Sequence, residues 1–371
     1  FLLLAGDVYN QEDASVSAQL ALRDGFRRLE SLSIPVFLVH GNHDPLASRL
    51  RSVRWPGNVT VFGELPDAVP VFRKGEGTPL AIIHGASHAS GRETRNLAAL
   101  FRRTEACGLH VGLLHATPGD ADGVARYAPF SQEDLKASGM DYWALGHIHD
   151  RREVCREPLA AYPGCTQGLH INEPGEKGCL LVTAEARPDG GDAVRTSFRP
   201  LGPAVWKTLD MDLGGAASLD ELENRLRTGL DRAAAEVWSG CEMLLVRLRL
   251  QGRTELDGLL RKGTTCAELA DRLREDGSGV PRIWIKDIDV ATRPCVERGA
   301  LLEREDLLGE VFRLSEAART ASGLQALREG PLAPLFAHAR AGKALEPLTD
   351  EELARLLDDA ESLCLDLLEN D

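Results

Sequence analysis

The 371-residue chain lacks three features, each of which would place it in a different class of protein. It has no run of about 18 uninterrupted apolar residues, which a membrane-spanning helix needs, so we expect a soluble chain without a membrane segment. Its eight cysteines include no Cys-x-x-Cys pair, which argues against a thiolate zinc site or a disulfide framework and favours a reducing cytoplasm. It also lacks repeats and low-complexity linkers, and at 43% hydrophobic residues it can bury a substantial core.

Acidic residues outnumber basic ones, but they are unevenly distributed. The formal net charge is −14, and residues 301–371 contribute −9 of it. Bound cations would add positive charge that a count of residues ignores. The net charge therefore does not exclude a phosphate-containing substrate.

Residues 1–200 alternate between short apolar runs and helical patterns, which is typical of the α/β class. Residues 16–32 have apolar side chains at near-helical spacing, and Ser131 with Asp134 resembles a capping box that opens a second helix. The predicted strands are 1–5, 35–40, 80–84, 111–115 and 142–145.

The pattern changes after residue 200. Three predicted strands (205–213, 243–250 and 280–290) and a helix that starts at Ser218 indicate a small α+β module. Strand patterns stop near residue 298, and the chain ends in a helix that Thr349 caps. We therefore predict domains at 1–200, 201–298 and 299–371. The terminal helix carries a leucine-rich stripe: Leu353, Leu356, Leu357, Ala360, Leu363, Leu367 and Leu368.

Eight of the ten histidines lie between positions 40 and 149. Several belong to four short motifs that follow predicted strands, where open α/β sheets bind their ligands. The motifs are Gly6-Asp7, Gly41-Asn42-His43-Asp44, His115, and Gly146-His147-Ile148-His149.

Together these motifs offer carboxylate, amide and imidazole donors, a mixture that suits Mn²⁺, Fe²⁺ or Zn²⁺. One aspartate can bridge two cations, and two cations about 3.5–4 Å apart stabilise the attacking and leaving oxygens of a displacement at phosphorus. Taken singly, each motif has an ordinary interpretation as a turn or a surface histidine pair. Their conjunction in this order favours a metal centre.

The order of the motifs resembles that of the calcineurin-like metallophosphoesterases. The segment from Tyr162 to Gly178 is similar to the end of the nuclease domain in SbcD-type DNA-repair exonucleases. Its sequence most resembles that of their YhaO-like bacterial branch. The resemblance implies an α/β sandwich of two mixed β-sheets flanked by helices. It further implies a small α+β capping domain and a helical C-terminal region after it.

The resemblance also implies a set of metal ligands. Asp7 would bridge two divalent ions, most simply Mn²⁺, with Fe²⁺ and Zn²⁺ as alternatives. Asn42, His115 and His147 would complete one site, and His149 would serve the other. The family's opening D-x-H has no counterpart upstream of Phe1, so we expect a missing segment there and weaker binding at the Asp7/His149 site.

Other residues of the family pattern concern the substrate. His43 would be the general acid that protonates the leaving oxygen after attack by a metal-bridging hydroxide. Asn10 stands where many relatives carry an aspartate or histidine that positions this imidazole. We also expect His88 and His170 to contact the substrate.

The leading functional hypothesis is a cytoplasmic, metal-dependent DNA exo/endonuclease of DNA repair. The alternatives are a phosphodiesterase or phosphatase acting on small nucleotides, and a non-catalytic assembly subunit. Besides DNA, the resemblance suggests an SbcC-like coiled-coil ATPase and a homodimer as partners. The terminal helix either binds that ATPase or packs on residues 301–348.

Overall fold

The computed structural model describes residues 1–9, 15–48, 53–73, 75–119, 126–186, 192–275, 279–295, 298–338 and 348–369. It divides into two compact units, Phe1–Trp206 with Trp238–Cys241, and Lys207–Val237 with Glu242–Asp371. The predicted α/β class is confirmed. The helical C-terminal region belongs to the same unit as the α+β module, and the division into three domains stays a prediction.

Strands dominate the first unit. Its sheets have the orders β1-β2-β3, β4-β5-β6-β7-β9-β8 and β10-β11. The three-stranded sheet is parallel in the described residues, whereas the six-stranded sheet is mixed. The elements are β1 (Leu2–Ala5), α1 (Val16–Ser31), β2 (Val36–Val39), β3 (Val59–Val61), β4 (Asp67–Phe72), β5 (Pro79–Ala86), β6 (Leu109–His115), α2 (Gln132–Ala137), β7 (Tyr142–Gly146), β8 (Arg152–Arg156), β9 (Leu159–Tyr162), β10 (Gly178–Ala186) and β11 (Asp192–Pro200).

Strand β2 is buried on both faces. Its Val36 and Leu38 pack in a cluster with Phe26 of α1, whereas Phe37 and Val39 share a cluster with apolar side chains of the six-stranded sheet. Successive side chains of a strand point to opposite faces, so a strand with two covered faces is apolar throughout. The three-stranded sheet therefore lies between α1 and the six-stranded sheet.

Strand β7 shows the same alternation in the six-stranded sheet. Tyr142 and Ala144 face the three-stranded sheet, and Trp143 and Leu145 pack in a second cluster with Leu135 of α2. The two sheets thus form a sandwich with a helix outside each of them. Because β1 runs parallel to β2, and β6 parallel to β7, the loops that carry the predicted motifs emerge at carboxyl ends of strands.

The second unit combines a sheet of order β12-β13-β14 with helices. Leu244, Val246, Leu248 and Leu250 alternate along β13 and are fully buried. The elements are β12 (Ala204–Asp212), α3 (Leu219–Ala235), β13 (Met243–Thr254), α4 (Asp257–Leu260), α5 (Thr265–Glu275), β14 (Arg282–Pro294), α6 (Arg298–Leu302), α7 (Leu307–Ala318), α8 (Ala321–Glu329), α9 (Ala333–Ala337) and α10 (Asp350–Glu369).

The terminal helix α10 packs against α7, and only part of the predicted stripe is buried. Leu353 and Leu365 are buried, and Leu365 lies in a cluster with Leu308 and Phe312. Leu363 and Leu367, which belong to the predicted stripe, are 58% and 63% exposed. Packing on residues 301–348 therefore accounts for only part of the apolar surface of α10.

None of the helices in the described ranges combines the length and the apolar character needed to cross a membrane.

Candidate metal centre

The four motif segments converge in the first unit. Asp7 follows β1, Asn42 follows β2, His115 ends β6, and His147 follows β7. Asp7, His115 and His147 each offer a metal-ligating atom, and these atoms lie within 4.8 Å of one another. The rings of His115 and His147 meet edge to face with their centroids 5.2 Å apart. The structure therefore brings together three of the predicted ligands around His115.

His115 is 1% exposed, and both of its ring nitrogens have neighbours. Its Nδ1 lies 2.8 Å from the carbonyl oxygen of Ala5, which can only accept a hydrogen bond, so Nδ1 carries the proton. In the neutral ring Nε2 then presents a lone pair. It faces Asn42 Oδ1 at 3.0 Å and Asp7 Oδ2 at 3.2 Å.

With the ring neutral these three atoms are all acceptors, so their approach is unfavourable unless a divalent cation or a proton on Nε2 lies among them. Oxygen and imidazole donors of this kind suit Mn²⁺, Fe²⁺ or Zn²⁺. The residues present thus fit a divalent metal ion.

Asp7 is held from two sides. Its Oδ1 accepts a hydrogen bond from the backbone N–H of His43 at 2.8 Å, while Oδ2 faces His115. These contacts fix the orientation of the carboxylate, as a metal ligand requires.

The backbone at the centre is strained and tightly packed. Asp7 and His147 have φ of 51° and 104°, a region that non-glycine residues rarely adopt and that tends to occur at functional sites. A Cβ at Gly41 would collide with Asp7 Oδ1 and with the ring of His115. Gly41 therefore lets the β2 loop approach both candidate ligands closely.

Asp44 ties two of the loops together. It is 1% exposed and accepts backbone N–H groups from Gly41 at 2.7 Å, Val8 at 3.0 Å and Asp7 at 3.2 Å. The sequence alone does not indicate a role for Asp44. The bond to Gly41, three residues earlier, is a local turn that sequence signals can indicate. The bonds to Asp7 and Val8 depend on the sheet order and have no local signal.

Comparison with known proteins agrees with this geometry. The chain matches the family model for calcineurin-like phosphoesterases over residues 1–151, and the model for the middle domain of metallophosphoesterase YhaO over residues 206–293. It is 33% identical over 337 residues to the metallophosphoesterase YhaO of Bacillus subtilis, covering 90% of this chain and 79% of that protein. This chain is a calcineurin-like metallophosphoesterase of the YhaO type.

A second relative of this metallophosphoesterase is the DNA double-strand break repair protein Mre11 of Haloferax volcanii. The two are 24% identical over 336 residues, which cover 85% of this chain and 68% of that protein. Metallophosphoesterases of this family bind divalent metals, which agrees with the donors around His115.

His149 belongs to a second group of donors in the metallophosphoesterase. Its ligating atom lies within 4.8 Å of those of Cys165 and Glu173. His170 Nε2 is 3.6 Å from Glu173 Oε1, and burial raises the pKa of the Cys165 thiol. The assignment of His149 to a metal site shared with Asp7 stays a prediction, as does the contact of His170 with substrate.

The structure corrects the expectation for His88. This residue is fully buried, and its Nε2 lies 2.6 Å from the backbone carbonyl of His115, to which it donates a hydrogen bond. Its ring also meets that of His115 edge to face. A side chain without exposed surface does not contact a substrate, so we assign His88 to holding His115 in place.

Two further predicted residues remain. His43 is exposed, and Asn10 lies outside the described residues.

Tyr127 is a neighbour of the centre that the sequence analysis did not identify. Its ring meets that of His147 edge to face, with centroids 5.3 Å apart. Its backbone N–H donates to Thr117 Oγ1 at 3.1 Å, which fixes the segment beside β6. No motif surrounds Tyr127, so only the tertiary structure reveals this contact.

Proposed function

We propose that this metallophosphoesterase is a metal-dependent nuclease that hydrolyses phosphodiester bonds of DNA in repair. The observation that carries the proposal is the meeting of His115 Nε2, Asp7 Oδ2 and Asn42 Oδ1, because a divalent cation bound among these three atoms would stabilise it. The similarity to an Mre11 protein, named for DNA double-strand break repair, supports DNA as the substrate.

The metal ions belong to the proposal as well. Two divalent ions, Mn²⁺ in our proposal, would supply a water of lowered pKa and neutralise charge that develops on the phosphate. Asp7 would hold both through its two oxygens, with Asn42, His115 and His147 on one side and His149 on the other. Because Asp44 joins the β1 and β2 loops, it would fix the spacing of Asp7 and Asn42 before metal binds.

His43 is the proposed general acid. It follows the ligand Asn42 directly, and its backbone N–H binds the Asp7 carboxylate, so its position is coupled to the metal centre. Its side chain is exposed, as a residue must be to reach a bond within a polymer. In the proposed reaction His43 gives its proton to the leaving oxygen of the broken phosphodiester.

The test is cleavage of single- and double-stranded DNA with Mn²⁺ or Mg²⁺, measured beside the hydrolysis of small nucleotides. We expect metal-dependent DNA cleavage that His115→Ala abolishes and His338→Ala, at an exposed histidine of the second unit, leaves unchanged. Hydrolysis of small nucleotides without DNA cleavage would contradict the nuclease and favour a nucleotide phosphodiesterase. Absence of all hydrolysis would favour a non-catalytic subunit.

We propose further that α10 binds an SbcC-like coiled-coil ATPase. Leu356, Leu363 and Leu367 share one face of this helix, and each is at least 46% exposed. A coiled coil offers a complementary apolar seam. A homodimer that uses this face is the competing proposal. The acidic residues around the stripe would repel DNA, so we assign no DNA contact to α10.

A further inference from the structure

We propose that Glu173 is a positioning residue that holds His149 with its Nε2 atom available to a divalent ion. This inference rests on the proposed function, in which His149 is a metal ligand. His149 Nδ1 lies 2.6 Å from Glu173 Oε1. A carboxylate oxygen only accepts, so the proton is on Nδ1, and Nε2 of the neutral ring carries the lone pair.

Glu173 is itself firmly held. Its side chain is 9% exposed, whereas that of His149 is 54% exposed, so the fixed partner is the carboxylate. Its second oxygen, Oε2, accepts the backbone N–H of Leu169 at 2.8 Å, and its own N–H donates to the carbonyl of His170 at 2.9 Å. The two carboxylate oxygens therefore have different donors, and the carboxylate has little freedom to rotate.

The arrangement repeats at His149 what the structure shows at His115. In both rings Nδ1 donates to a protein oxygen, and Nε2 is left as the acceptor. His115 uses a neutral carbonyl, but His149 uses a carboxylate. A carboxylate on the far nitrogen fixes the ring and makes the near nitrogen a stronger base, which strengthens its bond to a metal.

The surroundings of Cys165 argue against a separate ion held by His149, Cys165 and Glu173. Glu173 already occupies one nitrogen of His149. The Lys177 ammonium donates to the carbonyl oxygen of His149 at 3.4 Å, and the Cys165 thiol lies 3.9 Å from the same oxygen. A cation there would be repelled by this buried ammonium. Glu173 is therefore assigned to positioning.

The decisive variant is Glu173→Gln, which keeps the shape of the side chain. The amide has an NH₂ group, which only donates, in place of one carboxylate oxygen, so its two ends cannot accept from both Leu169 N–H and His149 Nδ1–H. Glu185→Gln, at an exposed position of β10, is the matched control. Cys165→Ser is the second control, because positioning does not require the thiol.

Two measurements on the full chain test the proposal. Side-chain ¹⁵N–¹H correlation spectra of the metal-free protein report the tautomer of His149, identified by the signal that His149→Gln removes. We expect the proton on Nδ1 in the unaltered chain, and a shift toward the Nε2–H tautomer in Glu173→Gln. Titration with Mn²⁺ should show one ion bound about 10–100-fold more weakly in Glu173→Gln, with both controls unchanged.

Each contrary result has a distinct meaning. An Nε2–H tautomer in the unaltered chain would overturn the inference even if the variant failed to fold. Equal Mn²⁺ affinity in Glu173→Gln would overturn it too, as would loss of one ion in Cys165→Ser, which would assign a separate metal site. Failure of the proposed function would instead appear as an unaltered chain that binds Mn²⁺ but cleaves no phosphodiester.

Discussion

Several histidines of the first unit show how the partner of one ring nitrogen decides the use of the other. The Ala5 carbonyl accepts a hydrogen bond from Nδ1 of His115, which keeps the proton on that nitrogen and leaves Nε2 for a cation. His84 and His110 are both buried and form a hydrogen bond with each other, with His84 Nε2 3.0 Å from His110 Nδ1. The same residue type thus serves as a candidate ligand in one place and as a core hydrogen-bonding pair in another.

Substitution of His43 should impair catalysis without impairing metal binding. We expect His43→Ala to lower turnover by about 10²–10⁴-fold while the metal content stays unchanged, because a general acid contributes to the chemical step and not to coordination. Metal analysis of the purified variant beside DNA cleavage tests this. His115→Ala should lose both metal and activity, and a His43→Ala protein emptied of metal would instead make His43 a ligand.

His84 should make stability depend on pH. Burial, followed by Coulomb repulsion from His110 and Arg103, lowers the pKa of His84 from 6.5 to about 4. Between these values the unfolded chain binds more protons than the folded one, so stability falls as the pH decreases through this window. The shift corresponds to a loss of about 3 kcal/mol in the free energy of unfolding of the first unit.

The check is urea unfolding of the first unit as a function of pH, with His84→Gln as the comparison. The variant should lose less stability on acidification between pH 6.5 and 4 than the unaltered chain does. Parallel pH profiles for the two proteins would contradict the assigned cause.

At the scale of elements, local signals located helices and strand cores well. The predicted capping box of Ser131 and Asp134 is present at α2, and Thr349 with Glu352 caps α10. The predicted strand at 280–290 begins at Arg282 instead. Pro281 has no N–H for the sheet, and the N–H of Arg282 makes the first bond, to Glu242.

The contacts that sequence reasoning missed are long-range in the chain. Asp44 binds Val8 across 36 positions, and Glu173 binds His149 across 24. Such contacts depend on the order of strands in the sheet, which residue spacing does not encode. The burial of His88 has the same origin, since it depends on β5 lying beside β6. The metal-centre motifs were predictable because strand ends are themselves a local signal.

The conformation of the loops after β1 and β2 should depend on Asp44. Asp44→Ala leaves three buried or half-buried N–H groups without their acceptor, at about 1–3 kcal/mol for each that water does not reach. We expect weaker Mn²⁺ binding, by about 10–100-fold, in a protein that still folds. Titration and circular dichroism measure this beside Asp24→Ala, an exposed aspartate of α1. Unchanged Mn²⁺ affinity would show that the loops do not need this bond.

At the scale of the whole molecule, the two units should have separable functions. Leu363→Asp with Leu367→Asp should abolish co-purification with the ATPase, because it charges the exposed face of α10, while metal-dependent cleavage by the isolated chain continues. Leu314→Asp, at a leucine of α7 that is 62% exposed, is the matched control. If the variant still associated with the ATPase, the exposed leucines of α10 would not be its binding site. A change in the oligomeric state would favour the homodimer.

We expect Asp7, Asn42, His115 and His147 to hold a divalent ion in this metallophosphoesterase. The most direct test is an anomalous difference map at the manganese edge, from crystals of the full chain grown with Mn²⁺. We predict a peak within about 2.0–2.3 Å of the ligating atoms of these four residues. Crystals that contain Mn²⁺ elsewhere but show no peak at His115 Nε2 would show that these residues do not hold the ion.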